Sequence, residues 1–306
     1  MSGASAFDAS NKRTPDQPMT GSIIKQAHEL LCFQEQTRIV DVGANPIEGA
    51  PPYESLLVEG LCLVTGFEPN LEALAALDAK KSSHETYLPY AIGDGSRKKL
   101  NLCRHSGWTS TLVPSELSLD VFSAFKENAA IIAAIEIETK RLDDVVELGR
   151  VDFLKIDNQG GELDVFNNAQ RTLANAAVIH TEAPFVPLYE NQPTLGEIDL
   201  CLRALGFIPH CFAGVKTGMI LIDNNPWLAL RQLLDADIVY VRDFRDPTNL
   251  TDDQLRHLGL IAHACYGSYD LACRCVVLLE QREVIPAGSV SAYVDLVNAA
   301  LKQKRA

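Results

Sequence analysis

Two short segments carry residue types suited to a nucleotide-like ligand. Asp41-Val-Gly-Ala-Asn45 puts Gly43 just past a β-rich run. A missing side chain there lets the backbone approach a ligand closely, and Asp41 offers a carboxylate to donors on that ligand. Gly66-Phe-Glu-Pro-Asn70 ends a second run at Glu68, where a carboxylate can accept from both hydroxyls of a ribose. Glu68 follows Gly43 by 25 residues, the span of a strand–helix–strand unit. Alone, each segment also reads as a tight turn or a solvated strand end. Together they describe a site for an adenosine-containing molecule.

The loop Gly43-Ala-Asn-Pro-Ile-Glu-Gly49 discriminates between cofactors. A dinucleotide reader would show Gly-x-Gly-x-x-Gly, with the diphosphate on a helix N-terminus. Here the second close glycine is missing, and Glu48 stands where a diphosphate would be repelled. A sulfonium has the opposite preference. Asp41, Glu48 and Glu68 therefore favour S-adenosylmethionine (SAM) over NAD. Two alternatives stay open at this point: an NAD-dependent oxidoreductase on a similar sheet, and a non-catalytic SAM-binding or scaffold protein.

These segments need strands and helices to hold them. Short β-rich runs alternate with helical patterns, which predicts a sheet flanked by helices. The runs are 38–44, 61–67, 86–92, 151–157, 177–182, 207–212 and 237–241, with Pro89 pushing the third towards an edge. Helices are predicted over 71–80 with Asn70 as cap, over 162–173, and over 195–205 behind a Thr194/Glu197 capping box and before Gly206. Weak alternation at 98–103 and 135–140 suggests an inserted hairpin or edge pair. Three helical patterns without strands follow Pro247: 252–264, 269–283 and 290–302. Their apolar faces, such as Leu255, Leu258, Ile261 and Cys265, must bury against the main domain or a second subunit.

Residues 38–206 resemble FkbM-type methyltransferases. The order of Asp41-Val-Gly-Ala-Asn45, Gly66-Phe-Glu-Pro-Asn70, Tyr90-Ala-Ile-Gly-Asp94, Arg141-Leu-Asp-Asp144, Val151 to Asp157 with Gly160 and Glu162, and Thr181-Glu182 is similar to that family's. Lys-Ile-Asp-x-x-Gly-x-Glu at 155–162 is the most specific piece. The string Asp41 to Gly49, followed by Pro51-Pro-Tyr53, resembles one bacterial subgroup, which also shares Phe185-Val-Pro-Leu-Tyr189 and the C-terminal helices. The resemblance implies an α/β, class I methyltransferase (Rossmann-like) fold. Its mostly parallel seven-stranded sheet would end in an antiparallel last strand, placed at 237–241. It implies SAM as donor and O-methylation of a hydroxyl on a sugar or natural product. It also implies that the Gly107-Trp-Thr-Ser110 loop closes on the cofactor; the plainer reading is a turn with one packed tryptophan. Two positions depart from the family pattern. Glycine comes only at 49 after the first motif, and Gln159 replaces the usual glutamate two residues after Asp157.

The expected cofactor contacts are Asp41, Gly43, Ala44, Asn45, Glu68, Pro69, Ile92, Gly93 and Asp94, the last near the adenine. Methyl transfer to oxygen needs alignment and a group to take the hydroxyl proton. In an open α/β sheet that chemistry sits beyond the carboxyl ends of the strands. Asp157, Glu182 and His180 are the catalytic candidates. The plainer readings are an Asp157–Lys155 pair, a loop-capping Glu182, a satisfied core His180, and a Glu162 that serves its helix N-terminus. Phe185, Tyr189 and Trp227 either stack a sugar ring or belong to the core. No spacing demands a metal, and none is expected.

Composition bounds the rest. Lys and Arg number 27 against 40 Asp and Glu, a net charge of −13 with pI near 5.0. That balance disfavours nucleic acid and anionic membrane surfaces as partners. No apolar run approaches a membrane span. Residues 1–20 read as a flexible tail without an apolar signal core, 21–245 as the SAM-dependent domain, and 246–306 as a helical C-terminal extension. Eight cysteines without metal-ligand spacing suggest reduced thiols and a cytoplasmic setting. The expected partner is a small-molecule or glycan acceptor, with a homodimer as an option for the helical face.

Overall fold

Apolar runs without strict alternation become strands buried on both faces. The computed structural model describes residues 21–45, 49–220 and 231–305. The 1–20 tail, Glu48 and Trp227 lie outside the described residues. The main sheet comprises β1 (Thr37–Val42), β2 (Cys62–Phe67), β3 (Glu85–Leu88), β7 (Phe153–Ile156), β8 (Val178–Pro184), β9 (Phe207–Met219) and β10 (Arg231–Arg242). Its order is β3-β2-β1-β7-β8-β10-β9. β10 runs antiparallel to both neighbours, while β3, β2, β1, β7 and β8 pair in parallel. This is the mostly parallel seven-stranded sheet with an antiparallel last strand that the resemblance implied. β10 is longer than the 237–241 run because its first half pairs with the equally extended β9.

The run at 86–92 splits at Pro89, which cannot donate to a ladder. Its first part is the edge strand β3. Its second is β4 (Ala91–Ile92), which joins a small sheet with β5 (Arg97–Cys103) and β6 (Ile131–Lys140) in the order β4-β6-β5. β5 and β6 are antiparallel, the edge pair suggested by weak alternation. Between them lie α4 (Glu116–Val121) and α5 (Lys126–Ala129).

Alternate residues of each strand face opposite layers. On one face, Val40, Val42, Leu154, Ile156, Ile179, Ile238 and Tyr240 pack with Val165 and Phe166 of α6 (Glu162–Asn167), Leu173 of α7 (Gln170–Leu173), and Ile198 and Leu202 of α8 (Leu195–Ala204). The helix expected over 162–173 is thus two short helices. The Thr194/Glu197 capping box forms, and Gly206 adopts a φ of 85°. Of the remaining helices, α2 (Glu54–Val58) and α3 (Leu71–Asp78) are short; α3 is capped by Asn70, whose side chain accepts from the backbone N–H of Glu72 and Ala73.

The other face of the sheet carries Ile39, Val64, Phe153, Val178, Val239 and Val241. They pack with α1 (Gly21–Leu30), α9 (Asp252–Tyr266), α10 (Tyr269–Gln281) and α11 (Ser289–Arg305). Leu255, Leu258 and Ile261 are fully buried there. The C-terminal helices therefore cover the sheet of their own chain. A polar cluster pins α9 beneath β1: Thr37 Oγ1 lies 3.0 Å from His257 Nδ1, Arg150 pairs with Asp152 at 2.8 Å, and Asp152 accepts from the Arg38 N–H.

His263 of α9 is buried among α10 and α11, with Nδ1 2.9 Å from the Tyr293 hydroxyl. Burial pushes this imidazole down from 6.5 to about 4. The folded chain therefore binds a proton here later than the unfolded chain does. The contribution of His263 is full above pH 6.5 and is lost as pH falls towards 4. In urea titrations, the stability gap between wild type and His263→Gln is expected to narrow by about 3 kcal/mol between pH 7 and pH 4. A gap independent of pH would contradict that reading.

Candidate functional site

The carboxyl ends of β1, β2, β7 and β8 open into one large cleft of about 2130 Å³. At its floor, the backbone turns sharply after β1. Gly43 has a φ of 77°, and a Cβ on it would sit 2.0 Å from the Asp157 carbonyl oxygen. Only glycine allows these two strand-end loops to touch. Asp41 lies directly beneath. Its Oδ2 accepts from the Tyr53 hydroxyl at 2.6 Å, and its Oδ1 pairs with Lys155 Nζ at 3.1 Å. Lys155 also donates to the Gly43 carbonyl. Burial alone would depress the Lys155 ammonium, but the Asp41 and Asp157 charges outweigh it and hold it above its usual value. Asp41 thus lines the cleft with both oxygens already bound by the protein. Lys155 pairs with Asp41, its cross-strand partner, and not with Asp157.

Gly43, Ala44, Asn45, Glu68, Pro69, Ile92 and Gly93 all line this cleft. Glu68 is 7% exposed. Its Oε1 accepts from the Asn70 N–H at 2.7 Å, and Oε2 takes no bond among the described residues. Burial raises its carboxyl above the usual range. Asp94 does not line the cleft. Its carboxylate accepts from the Ser96 N–H and hydroxyl and pairs with Lys98 at 3.1 Å. Those partners hold it well below the usual carboxylate range despite the opposing effect of partial burial.

Asp157 and His180 line the same cleft. Asp157 Oδ1 accepts from Gln159 Nε2 at 2.7 Å. His180 Nδ1 lies 3.0 Å from the Tyr266 hydroxyl. Burial, reinforced by the Lys155 charge, lowers His180 to about 4, so its ring is neutral at pH 7. Glu182 is set back from the cleft, with Oε2 2.7 Å from Lys216 Nζ. Burial pushes its carboxyl well up. Glu162 accepts from the N–H groups of Asn158 and Gly160 and so braces the loop before its own helix. Burial, then the Asp157 charge, pushes it up to about 7. Among the described residues, no group of three or more His, Cys, Asp or Glu side chains is disposed to hold a metal ion.

The segment from His105 to Thr111 lines the same cleft and meets the loop after Asp157 through Ser110, which donates to the Gln159 carbonyl. Trp108 is packed on Phe125 and Tyr189, at centroid distances of 5.5 and 5.7 Å. The loop is a turn with a packed tryptophan, the plainer of its two readings, and it borders the cavity. Tyr189 is core. Phe185 faces a separate groove of about 490 Å³ with Leu195, Arg203 and Tyr240. Cys265, Tyr266 and Ser268 at the end of α9 also line the main cleft, as do Cys211 to Lys216 of β9.

A family model described as the methyltransferase FkbM domain matches residues 41–209. The chain belongs to the FkbM methyltransferase family. It is a SAM-dependent methyltransferase of Rossmann-like class I fold. No curated protein matches the chain. Among solved structures it is similar to precorrin-6y C5,15-methyltransferase from Geobacter metallireducens, with 12% identity and a TM-score of 0.35 over 72% of this chain and 88% of that one. It is also similar to magnesium protoporphyrin IX methyltransferase from Synechocystis, with 11% identity and a TM-score of 0.34 over 73% and 79%. A SAM-dependent methyltransferase from Aquifex aeolicus gives 10% identity and a TM-score of 0.30 over 73% and 90%. The assignment rests on the family match, which spans more than half the chain.

The methyltransferase's own residues fit SAM. The space that a Cβ at Gly43 would fill is closed by backbone alone, and the Glu68 carboxylate stands beside it at the neighbouring strand end. Carboxylates at the cleft suit a cationic sulfonium. No helix among the described residues is long and apolar enough to cross a membrane.

Several site residues escaped the sequence analysis. Tyr266 is absent from it, the roles of Tyr53 and Ser110 as hydrogen-bond partners of Asp41 and Gln159 are not foreseen, and Lys155's true partner is visible only once β1 and β7 pair. The register Asp41↔Lys155 is the signal that could have found that pair. Removing one member should leave a buried charge unmatched. Lys155→Met is expected to cost about 3 to 5 kcal/mol in urea unfolding. Asp41→Asn combined with Lys155→Met should recover a large part of it. A double variant as unstable as Lys155→Met would show that the two charges are not coupled.

Proposed function

We propose that this enzyme methylates a hydroxyl oxygen on a glycan or small natural-product acceptor, with Asp157 receiving the hydroxyl proton. The observation that carries the reading is the position of Asp157. It ends the central strand β7, touches the Gly43 turn through its backbone, and lines the cleft shared with Glu68. SAM, when bound, supplies an electrophilic methyl group on a sulfonium. Glu68 holds the ribose hydroxyls, and the backbone of Gly43 to Asn45 with Pro69, Ile92 and Gly93 forms the surrounding cradle. Asp41 supports that cradle from below through Tyr53 and Lys155.

Asp157 Oδ1 is held by Gln159, which leaves Oδ2 for the acceptor hydroxyl. A carboxylate in that place both aligns the hydroxyl and takes its proton. Neutral His180, fixed by Tyr266, offers a hydrogen-bonding ring to a second acceptor hydroxyl. Glu182 and Lys216 support that wall as a salt bridge. Trp108, Phe212 and Tyr266 present rings to the cleft, where stacking on a sugar ring or an apolar skeleton is favoured. All eight cysteines are unpaired, which supports a cytoplasmic setting.

Calorimetry with SAM and S-adenosylhomocysteine tests the donor side. Glu68→Ala is expected to weaken both by roughly tenfold to a hundredfold, and NADH to give no heat with the wild type. A mutant that binds as the wild type does would remove the ribose assignment. On the acceptor side, release of S-adenosylhomocysteine is followed against a panel of hydroxylated sugars and polyketide-like alcohols. Asp157→Asn should lower turnover by about a hundredfold or more while SAM still binds. Unchanged turnover would exclude Asp157 as the proton acceptor.

A further inference from the structure

Gln159 is one of four described non-glycine residues with a positive φ, at 59°. L-residues rarely take this conformation unless their surroundings impose it. Three hydrogen bonds do so here. Its carbonyl oxygen accepts from the Ser110 hydroxyl at 2.6 Å. Its side-chain Oε1 accepts from the Tyr189 hydroxyl at 3.1 Å. Its Nε2 donates to Asp157 Oδ1 at 2.7 Å. The Asp157 end fixes the amide orientation: flipped, Oε1 would face a carboxylate oxygen at 2.7 Å.

Tyr189 has two acceptors within reach of its one hydroxyl proton, Gln159 Oε1 at 3.1 Å and the Trp108 carbonyl at 3.3 Å. It is 4% exposed, and burial, with the Glu182 charge next, pushes its phenol far above the usual range. Its ring is packed on Trp108, and its backbone N–H is bound by the Gln192 side chain. With the phenol proton on the shorter of its two contacts, the chain Tyr189–Gln159–Asp157 runs in one direction, each member donating to the next. The last link is a non-titrating amide. A glutamate in the same place would set two carboxylates at hydrogen-bond distance, and they would need a shared proton to stay there.

We propose that Gln159 is a positioning residue: clamped by Tyr189 and Ser110, it fixes Asp157 Oδ1 and so aims Oδ2 at the acceptor hydroxyl without itself titrating. This rests on Asp157 being the proton acceptor. The ionisable groups facing Asp157 are Asp41 from β1, Lys155 on β7, Glu162 from α6, His180 and Glu182 from β8, and Tyr189. Some of these give the wild type a pH dependence of its own, so the informative quantity is the ratio of variant to wild type.

With an acceptor from the panel above, Gln159→Ala and Tyr189→Phe should lower kcat by about tenfold or more, with SAM affinity and acceptor KM within about twofold. Gln159→Glu should be impaired at pH 8 and regain activity relative to wild type as pH falls towards 5, because a protonated glutamate donates as the amide does. A merely structural role would give a flat ratio. If Asp157→Asn is inactive while Gln159→Ala keeps its kcat, or the ratio is flat, the clamp is wrong and the Asp157 assignment survives. If Asp157→Asn is fully active, that assignment fails first.

A second measurement needs no acceptor. In protein labelled with 15N-glutamine, the side-chain amide signal lost in Gln159→Ala should be shifted downfield, and it should move back in Asp157→Asn and in Tyr189→Phe. A signal indifferent to both substitutions overturns the proposal whatever the activity data say.

Discussion

Everything at the cleft depends on one buried ion pair, Asp41 with Lys155. The two residues are register partners on neighbouring parallel strands, and both are shielded from water. Removing two charges from water is costly, and their mutual attraction alone rarely offsets that cost. Here the Tyr53 hydroxyl and the Gly43 carbonyl supply the additional hydrogen bonds. The pair thereby ties β1 to β7, the Gly43 turn to the sheet, and the Tyr53 segment to the floor of the cleft. Asp41 looks from its sequence like a ligand-binding carboxylate. In the fold it still lines the cleft, but its two oxygens are taken by Tyr53 and Lys155, while Glu68 and Asp157 each keep one oxygen without a hydrogen-bond partner among the described residues.

The same face of the sheet serves two purposes along its length. Towards the amino ends of the parallel strands, Ile39, Phe153 and Val178 meet α1, α9 and α10 in an apolar core. Two residues further along each strand, the facing side chains become Asp41, Lys155 and His180, and beyond them Asp157 and Glu182. The helical layer ends where this polar row begins, since covering it would leave charges without partners. The end of α9 meets the row through Tyr266, which binds His180. The C-terminal helices are therefore both the cover of the core and one wall of the cleft. That dual role follows from strand period and helix length together.

Much of this was legible in the sequence, for identifiable reasons. Apolar runs and capping residues have local causes, so β1, β2, β7, β8, α3, α8 and α9 lie close to where periodicity and capping boxes put them. Pro89 marked the edge strand because a missing N–H is a local fact. α1 escaped, although Ile24, Ala27 and Leu31 follow helical spacing and are buried, because the polar tail before it obscured the pattern. The partners of Lys155 and Glu182 were not legible, since each lies on a neighbouring strand whose register no local pattern specifies. The left-handed Gln159 was equally hidden: its conformation is imposed by Ser110 and Tyr189, 49 and 30 residues away.

Gln159 and Gly43 complete a single mechanical unit. The turn after β1 and the loop after β7 touch backbone to backbone, because a Cβ on Gly43 would overlap the Asp157 carbonyl. No side chain lies between them to absorb a displacement. A displacement of the turn at Gly43 is therefore transmitted to Asp157, and the loop after Asp157 carries restraints of its own. Glu162 restrains the backbone of that loop through the Asn158 and Gly160 N–H groups. Gln159 restrains the carboxylate itself. The Gly43 turn and Asp157 are thus joined by backbone contact at one side, and the Asp157 loop is held by two separate hydrogen-bond systems at the other, the kind of support a preorganised site requires.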